Sequence, residues 1–172
     1  MTDSWFINNM WLVPVFPFIG FLITGLALRG FKHSVSSAVA IIAVGLSAVV
    51  AWGAGIDYFT NYVGKTLIPC QYCWLKFSPT LQGNIGVYLD DISMLLTIVV
   101  TTVSFIIHIY SQGYMEGDKG YRRFFAFMNL FTFSMLGLVL APSLLQMFVF
   151  WELVGVSSFL LIGFYWEKPS AV

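Results

Sequence analysis

The stretch from Ser143 to Trp166, SLLQMFVFWELVGVSSFLLIGFYW, constrains this chain more than any other. A helix of about 20 apolar residues crosses a bilayer, and this stretch exceeds that length with one formal charge inside it, Glu152. At a rise of ~1.5 Å per residue, Glu152 lies roughly 14 Å along a helix begun at Ser143, near the middle of the hydrocarbon layer. A carboxylate at that depth costs ~2.5–3.5 kcal/mol even on the lenient insertion scale. It is therefore expected to face other helices or water and to exchange a proton. The bland alternative is a protonated, hydrogen-bonded acid that only packs.

The rest of the chain has the same character. Of its 172 residues, 59% are hydrophobic and 9% charged, where soluble domains carry about 25% charged residues. Such a chain is an integral membrane protein whose first partner is the lipid bilayer. Eight Lys and Arg balance eight Asp and Glu, which leaves no basic footprint for nucleic acid. Two Cys and two His are too few for a metal cluster or a haem site built by this chain alone.

The pattern predicts an all-α, polytopic membrane bundle, one domain over residues 1–172. Its five spans run from about Asn9 to Leu28, Val35 to Ala54, Asp91 to Ser111, Phe124 to Leu140 and Ser143 to Trp166. Pro14 and Pro17 sit early in the first span, where a missing N–H does least harm. The second is rich in Ala, Ser and Gly, which permit close helix packing in lipid. Between Ile56 and Tyr88 the chain is broken by Gly64, Pro69, Pro79, Gly83 and Gly86. Thr60–Ile68 and Gly86–Leu89 read as short strands of a hairpin on the outer membrane surface. Asp90 or Asp91 and Ser143 are expected N-caps.

Five spans place residues 29–34, residues 112–123 and the C-terminal tail on one side. These carry Arg29, Lys32, Lys119, Arg122, Arg123 and Lys168, against Lys65 and Lys76 opposite. The positive-inside rule then puts the N-terminus outside and the C-terminus inside. Basic residues follow the first span rather than precede it, which argues against a cleaved signal peptide.

After Glu152, the other candidates for a proton path are Asp90 and Asp91, a carboxylate pair at a helix start, and His108, near the inner end of the third span. The plain readings are helix-dipole complement for the acids and interfacial packing for the histidine. Cys70 and Cys73, in CQYC, are a candidate disulfide in an outer loop, or two quiet thiols. Lys119, Arg122 and Arg123 suit anionic lipid head groups, although orientation by positive charge is sufficient reason for them.

With those residues laid out, the chain resembles a known family. YSQGYM at Tyr110–Met115, RRFFAFMNLFTFSMLGLVLAPSLLQMFVFWELVGVSSFLLIGFYW at Arg122–Trp166 and VYLDDISML at Val87–Leu95 look like the N-terminal part of the L subunit, chain 5, of NADH:quinone oxidoreductase. This is respiratory complex I. The subunit belongs to the antiporter-like family shared with Mrp-type cation/proton antiporters and membrane-bound hydrogenases. The CQYC loop lies outside the pattern.

The resemblance implies an N-terminal portion of a longer, proton-translocating subunit. Glu152 falls on the family's fifth-helix glutamate, which pairs with a lysine on a later, broken helix. NADH, FMN, iron–sulfur clusters and quinone are then expected on other membrane and peripheral subunits of the complex, with no cofactor or metal in this chain. A bacterial inner membrane is the expected location. The alternatives are an Mrp-type or hydrogenase-linked subunit, a structural module without transport, and a thiol oxidoreductase of the DsbB type. The last needs a second cysteine pair, and the chain has no other cysteine.

Overall fold

The computed structural model describes residues 4–27, 33–76 and 82–165. Arg29, Lys32, Lys168 and the predicted end of the last span at Trp166 lie outside them. The described chain is mostly helical. A short α1 (Trp5–Asn8) leads into α2 (Leu12–Leu22), which widens into a π-helical turn at Ile23–Ala27. Then come α3 (His33–Asn61), β1 (Leu67–Lys76), β2 (Gln82–Leu89), α4 (Asp91–Tyr114), α5 (Tyr121–Val139) and α6 (Leu144–Ile162), closed by a 3-10 turn at Gly163–Tyr165.

Among the described residues, three helices are long and apolar enough to cross a membrane: Ser34–Asn61, Asp91–Tyr114 and Leu144–Tyr165. The apolar helix Leu12–Leu26 is shorter. α5 is diluted by Arg122 and Arg123 at its start and by Asn129, Thr132 and Ser134, all three buried. Its position explains the dilution. It packs on α2, α3, α4 and α6, so its polar side chains meet protein rather than lipid.

Pro17 lies inside α2, not only in its first turn. A proline supplies no N–H to the carbonyl four residues back, which leaves Val13 O without its helical donor. The Ser47 hydroxyl of α3 donates to that oxygen at 2.6 Å. In lipid such a loose carbonyl needs a protein donor, so the proline and the serine belong to one arrangement.

Of the small residues of α3, Ala40, Ala43, Ser47, Ala51 and Ala54 are buried, Gly45 and Ala48 are half-buried and Ala38 is exposed. A Cβ on Gly20 of α2 would meet Ala43 Cβ at 2.8 Å and Asn129 Oδ1 at 3.1 Å, so α2, α3 and α5 converge there. Apolar side chains gather at the two ends of the bundle. One cluster holds Ile7, Met10, Val50, Tyr58, Leu89, Met94, Leu136 and Leu140. The other holds Ala40, Met115, Tyr121, Phe125 and Phe164. Burial of such side chains contributes roughly 1.5–3 kcal/mol each where water is the alternative, and less where lipid is.

The strands form one antiparallel hairpin, with Cys70 opposite Val87, Tyr72 opposite Ile85 and Lys76 opposite Gln82. The first strand begins later than predicted. Thr60 and Asn61 continue α3, which runs two turns past Ala54, and the strand occupies Leu67–Lys76. The ladder slips between Leu67 and Cys70, at Pro69, which has no N–H to pair. Gly64, at φ +74°, makes the left-handed turn between helix and strand, a conformation that favours glycine.

Candidate functional site

α6 meets α5 through one stripe. Gln146 and Ser157 are buried on it, and the Phe150 ring lies 5.3 Å from Phe133. It covers Gly137 so closely that a Cβ there would overlap it. At about 100° per residue, Gln146, Phe150 and Ser157 share a face, and Glu152 points well over 90° away from it. Glu152 is exposed. The expectation of a buried acid is therefore not met among the described residues, because α6 spends its contact face on the aromatic and polar stripe. Around Glu152 lie Phe148 (62% exposed), Val156 (52%) and Phe159 (75%). Gly155, one turn on, has nothing within 4 Å of an added Cβ. The acid sits 9 residues, roughly 14 Å, along the helix from the Ser143 cap. That puts it at mid-depth of a span.

Asp90 and Asp91 are brought together but do separate work. Asp90 caps α4: its Oδ1 accepts from Ser93 N at 2.7 Å, and its own N–H donates to Ser93 Oγ at 2.8 Å. This is a capping box. Asp91 Oδ1 accepts from the buried Tyr58 hydroxyl and from Gly64 N, each at 2.9 Å. The single Tyr58 proton is shared between Asp91 Oδ1 and Lys65 O, the latter 2.6 Å from the hydroxyl oxygen. The pair thus ties the end of α3 to the start of α4, beside a cavity of about 180 Å³ lined by Tyr58, Lys65, Asp90 and Asp91.

His108 is fully buried within the bundle. It belongs to a run of buried polar residues on α4 with Ser93, Thr97, Thr101 and Ser111. Thr97 donates to Ser93 O at 2.7 Å and Thr101 to Thr97 O at 2.8 Å. His108 Nδ1 lies 2.7 Å from Ser104 O. A carbonyl only accepts, so the proton of the neutral ring sits on Nδ1. Nε2 is buried without a hydrogen-bond partner among the described residues. The structure does not bring His108 to Glu152, which faces out of the bundle.

Cys70 and Cys73 are free thiols on β1, Cys70 exposed and Cys73 half-buried. The candidate disulfide between them is absent. Residues i and i+3 of a strand lie roughly 10 Å apart on opposite faces, beyond the reach of a disulfide.

Gln146 was not legible as a special residue. Its amide donates to Gly86 O and Gly137 O, each at 3.2 Å, and accepts from Gly86 N at 2.8 Å. Ser143 Oγ donates to Asn84 O at 2.6 Å. Together they fasten the hairpin over the α5–α6 corner. Asp57, which accepts from Ser4 Oγ, likewise went unread. Gly86 lies 60 residues from Gln146 and Ser4 53 from Asp57, and the sequence signal at each was a polar side chain inside an apolar helix.

A family model described as NADH-Ubiquinone oxidoreductase (complex I), chain 5 N-terminus matches residues 74–125. These take in the end of β1, β2, α4 and the start of α5, and stop short of Glu152. NAD(P)H-quinone oxidoreductase subunit 5 of the chloroplast of Mesostigma viride is 39% identical over 167 residues, 94% of this chain and 25% of the relative. The chloroplast subunit of Physcomitrium patens is 40% identical, over 94% of this chain and 23% of its own length. That of the organellar chromatophore of Paulinella chromatophora is 38% identical, over 96% and 25%. In sequence, this chain matches the N-terminal portion of subunit 5. It spans about a quarter of the length of these relatives. A solved structure of the membrane-bound sulfane sulfur reductase, an archaeal respiratory membrane complex, superposes with a TM-score of 0.77 over 95% of this chain and 32% of that one. Identity there is 18%, so the likeness is one of fold.

Proposed function

We propose that this chain forms the first part of the proton-translocating, antiporter-like subunit of an NADH:quinone oxidoreductase. Glu152 is its proton-exchanging group. The match to subunit 5 over almost the whole chain supports the subunit. The observation that carries the role of Glu152 is its place: a lone acid at mid-span on a face of α6 that no described element covers. An acid left in lipid is costly, so that face is met by another part of the complex that supplies a cation or water. A cation brought near holds the carboxylate ionised, and its withdrawal favours protonation. A change in the complex that moves the cation then moves a proton.

In this reading the chain crosses the membrane five times, with α2 and its π turn as the first span and α5 as the fourth, and has its N-terminus outside. Support comes from Lys119, Arg122 and Arg123 clustering at the end of the bundle that also holds Phe164, opposite the hairpin with Lys76. Redox cofactors reside on other subunits.

The test is a Glu152→Gln substitution in the longer subunit within its assembled complex, reconstituted in vesicles. Proton-to-electron stoichiometry falls while the complex stays assembled. An unchanged stoichiometry would sink the role of Glu152.

A further inference from the structure

Two cavities adjoin at the end of the bundle where α4 gives way to α5. One, of about 290 Å³, has the charged residues Asp118, Lys119 and Arg123 in its wall, with Gly117, Gly120 and Tyr165. The other, of about 280 Å³, runs between α5 and α6 along Phe127, Phe159, Leu160 and Gly163. Arg123 and Phe164 belong to both walls. The Arg123 guanidinium lies over the Phe164 ring at 5.5 Å from its centroid, and this contact sets the charge at the junction.

The charged part favours an anion. Two cations, Lys119 and Arg123, outnumber its one carboxylate, and Asp118 is held in place: Oδ1 accepts from Gly120 N at 2.7 Å and Oδ2 from Tyr165 Oη at 3.1 Å. Among the described residues, neither Lys119 nor Arg123 forms an ion pair. The second part favours a hydrocarbon chain. Phe127 lies four residues, about 6 Å of helix, deeper than Arg123, so the apolar slot leads from a charged mouth into the span. A charged mouth at a helix end opening on an apolar slot matches a lipid, head first. It does not match a soluble anion, which has no use for the slot. Basic pockets between spans are a recurring means of holding anionic head groups.

We propose that this composite cavity binds one anionic phospholipid, with its phosphodiester between Lys119 and Arg123 and an acyl chain along Phe127 and Leu160, on the α5 side of α6. The site is independent of proton exchange at Glu152.

The test is native mass spectrometry of the 172-residue chain, released from detergent with equal phosphatidylglycerol and phosphatidylcholine of matched chains. Each cation near a head group contributes about 1 kcal/mol, or roughly fivefold in affinity. Phosphatidylglycerol is therefore retained about 30-fold over phosphatidylcholine. Lys119→Gln with Arg123→Gln brings the ratio to near one, whereas Lys119→Arg with Arg123→Lys keeps it and shows that the fold is intact. Leu160→Trp fills the slot and lowers retention of both lipids. Equal retention by the native chain, or an unchanged ratio in the double Gln variant, overturns the proposal. So does competition by glycerophosphoglycerol, the tail-less head group, as effective as that of the whole lipid. In the assembled complex, phosphatidylglycerol with a diazirine in its tail labels residues 159–164. Protein filling the slot would leave that peptide unlabelled and would also overturn the proposal.

Discussion

Replacing Gln146 with Leu should loosen the hairpin without disturbing the helices beneath it. The two side chains are close in volume, so packing in this 6%-exposed site is largely kept. What disappears is one acceptor and two donor contacts, to Gly86 N, Gly86 O and Gly137 O. The Gly86 N–H is the larger loss, because a buried donor left unpaired costs about 1–3 kcal/mol, whereas a neutral hydrogen bond contributes only ~0.5–1.5. The Gly137 carbonyl, in the last turn of α5, also loses its Gln146 donor, since Ala141 N donates to Leu138 O instead. Docking of β2 should weaken by about 2–3 kcal/mol, which is about 30- to 150-fold in the opening equilibrium. Hydrogen exchange of the peptide covering Gln82–Leu89, followed by mass spectrometry in nanodiscs, reads that equilibrium. Exchange there should quicken by that factor while peptides within α4 and α6 keep their rates. If β2 exchange changes by less than about threefold, Gln146 is not the fastening.

Asp91→Asn keeps an acceptor for Tyr58 and Gly64 and should preserve both thermal stability and proton pumping in the assembled complex. Asp91→Ala should lose about 2 kcal/mol of stability. If Asp91→Asn abolishes pumping as fully as Asp91→Ala, the acid is a proton-path group after all. Cys70 and Cys73 should both react with maleimide before any reductant is added; labelling only after reduction would show a disulfide. Gly155→Phe should leave the melting of the isolated chain unchanged, since nothing lies near that Cα. In the assembled complex it should lower pumping at least tenfold by obstructing whatever faces Glu152, and wild-type pumping would show that nothing packs there.

The helices that read most clearly were those whose apolar run alone determines them. α3, α4 and α6 fall where long unbroken hydrophobic stretches lie, and the caps Asp90 and Ser143 were legible because capping depends on neighbours three residues away. α3 outran its predicted end because Asp57 and Tyr58 look like loop residues, yet find partners on Ser4 and Asp91. β1 was displaced because Pro69 and the cysteines read as loop, and only its pairing with β2 holds them extended. α5 looked like any other span, but its polar content marks it as the interior helix. Glu152 was found from depth along the chain. Its direction was not, because the choice of contact face is made by Gly137 receiving Phe150, an event of packing between helices.

Infrared difference spectroscopy of the turning-over complex examines the carboxyl of Glu152 itself. A protonated-carboxyl band should appear or shift during quinone reduction and vanish in Glu152→Gln. A difference spectrum identical in the native and Glu152→Gln complexes would contradict proton exchange at Glu152.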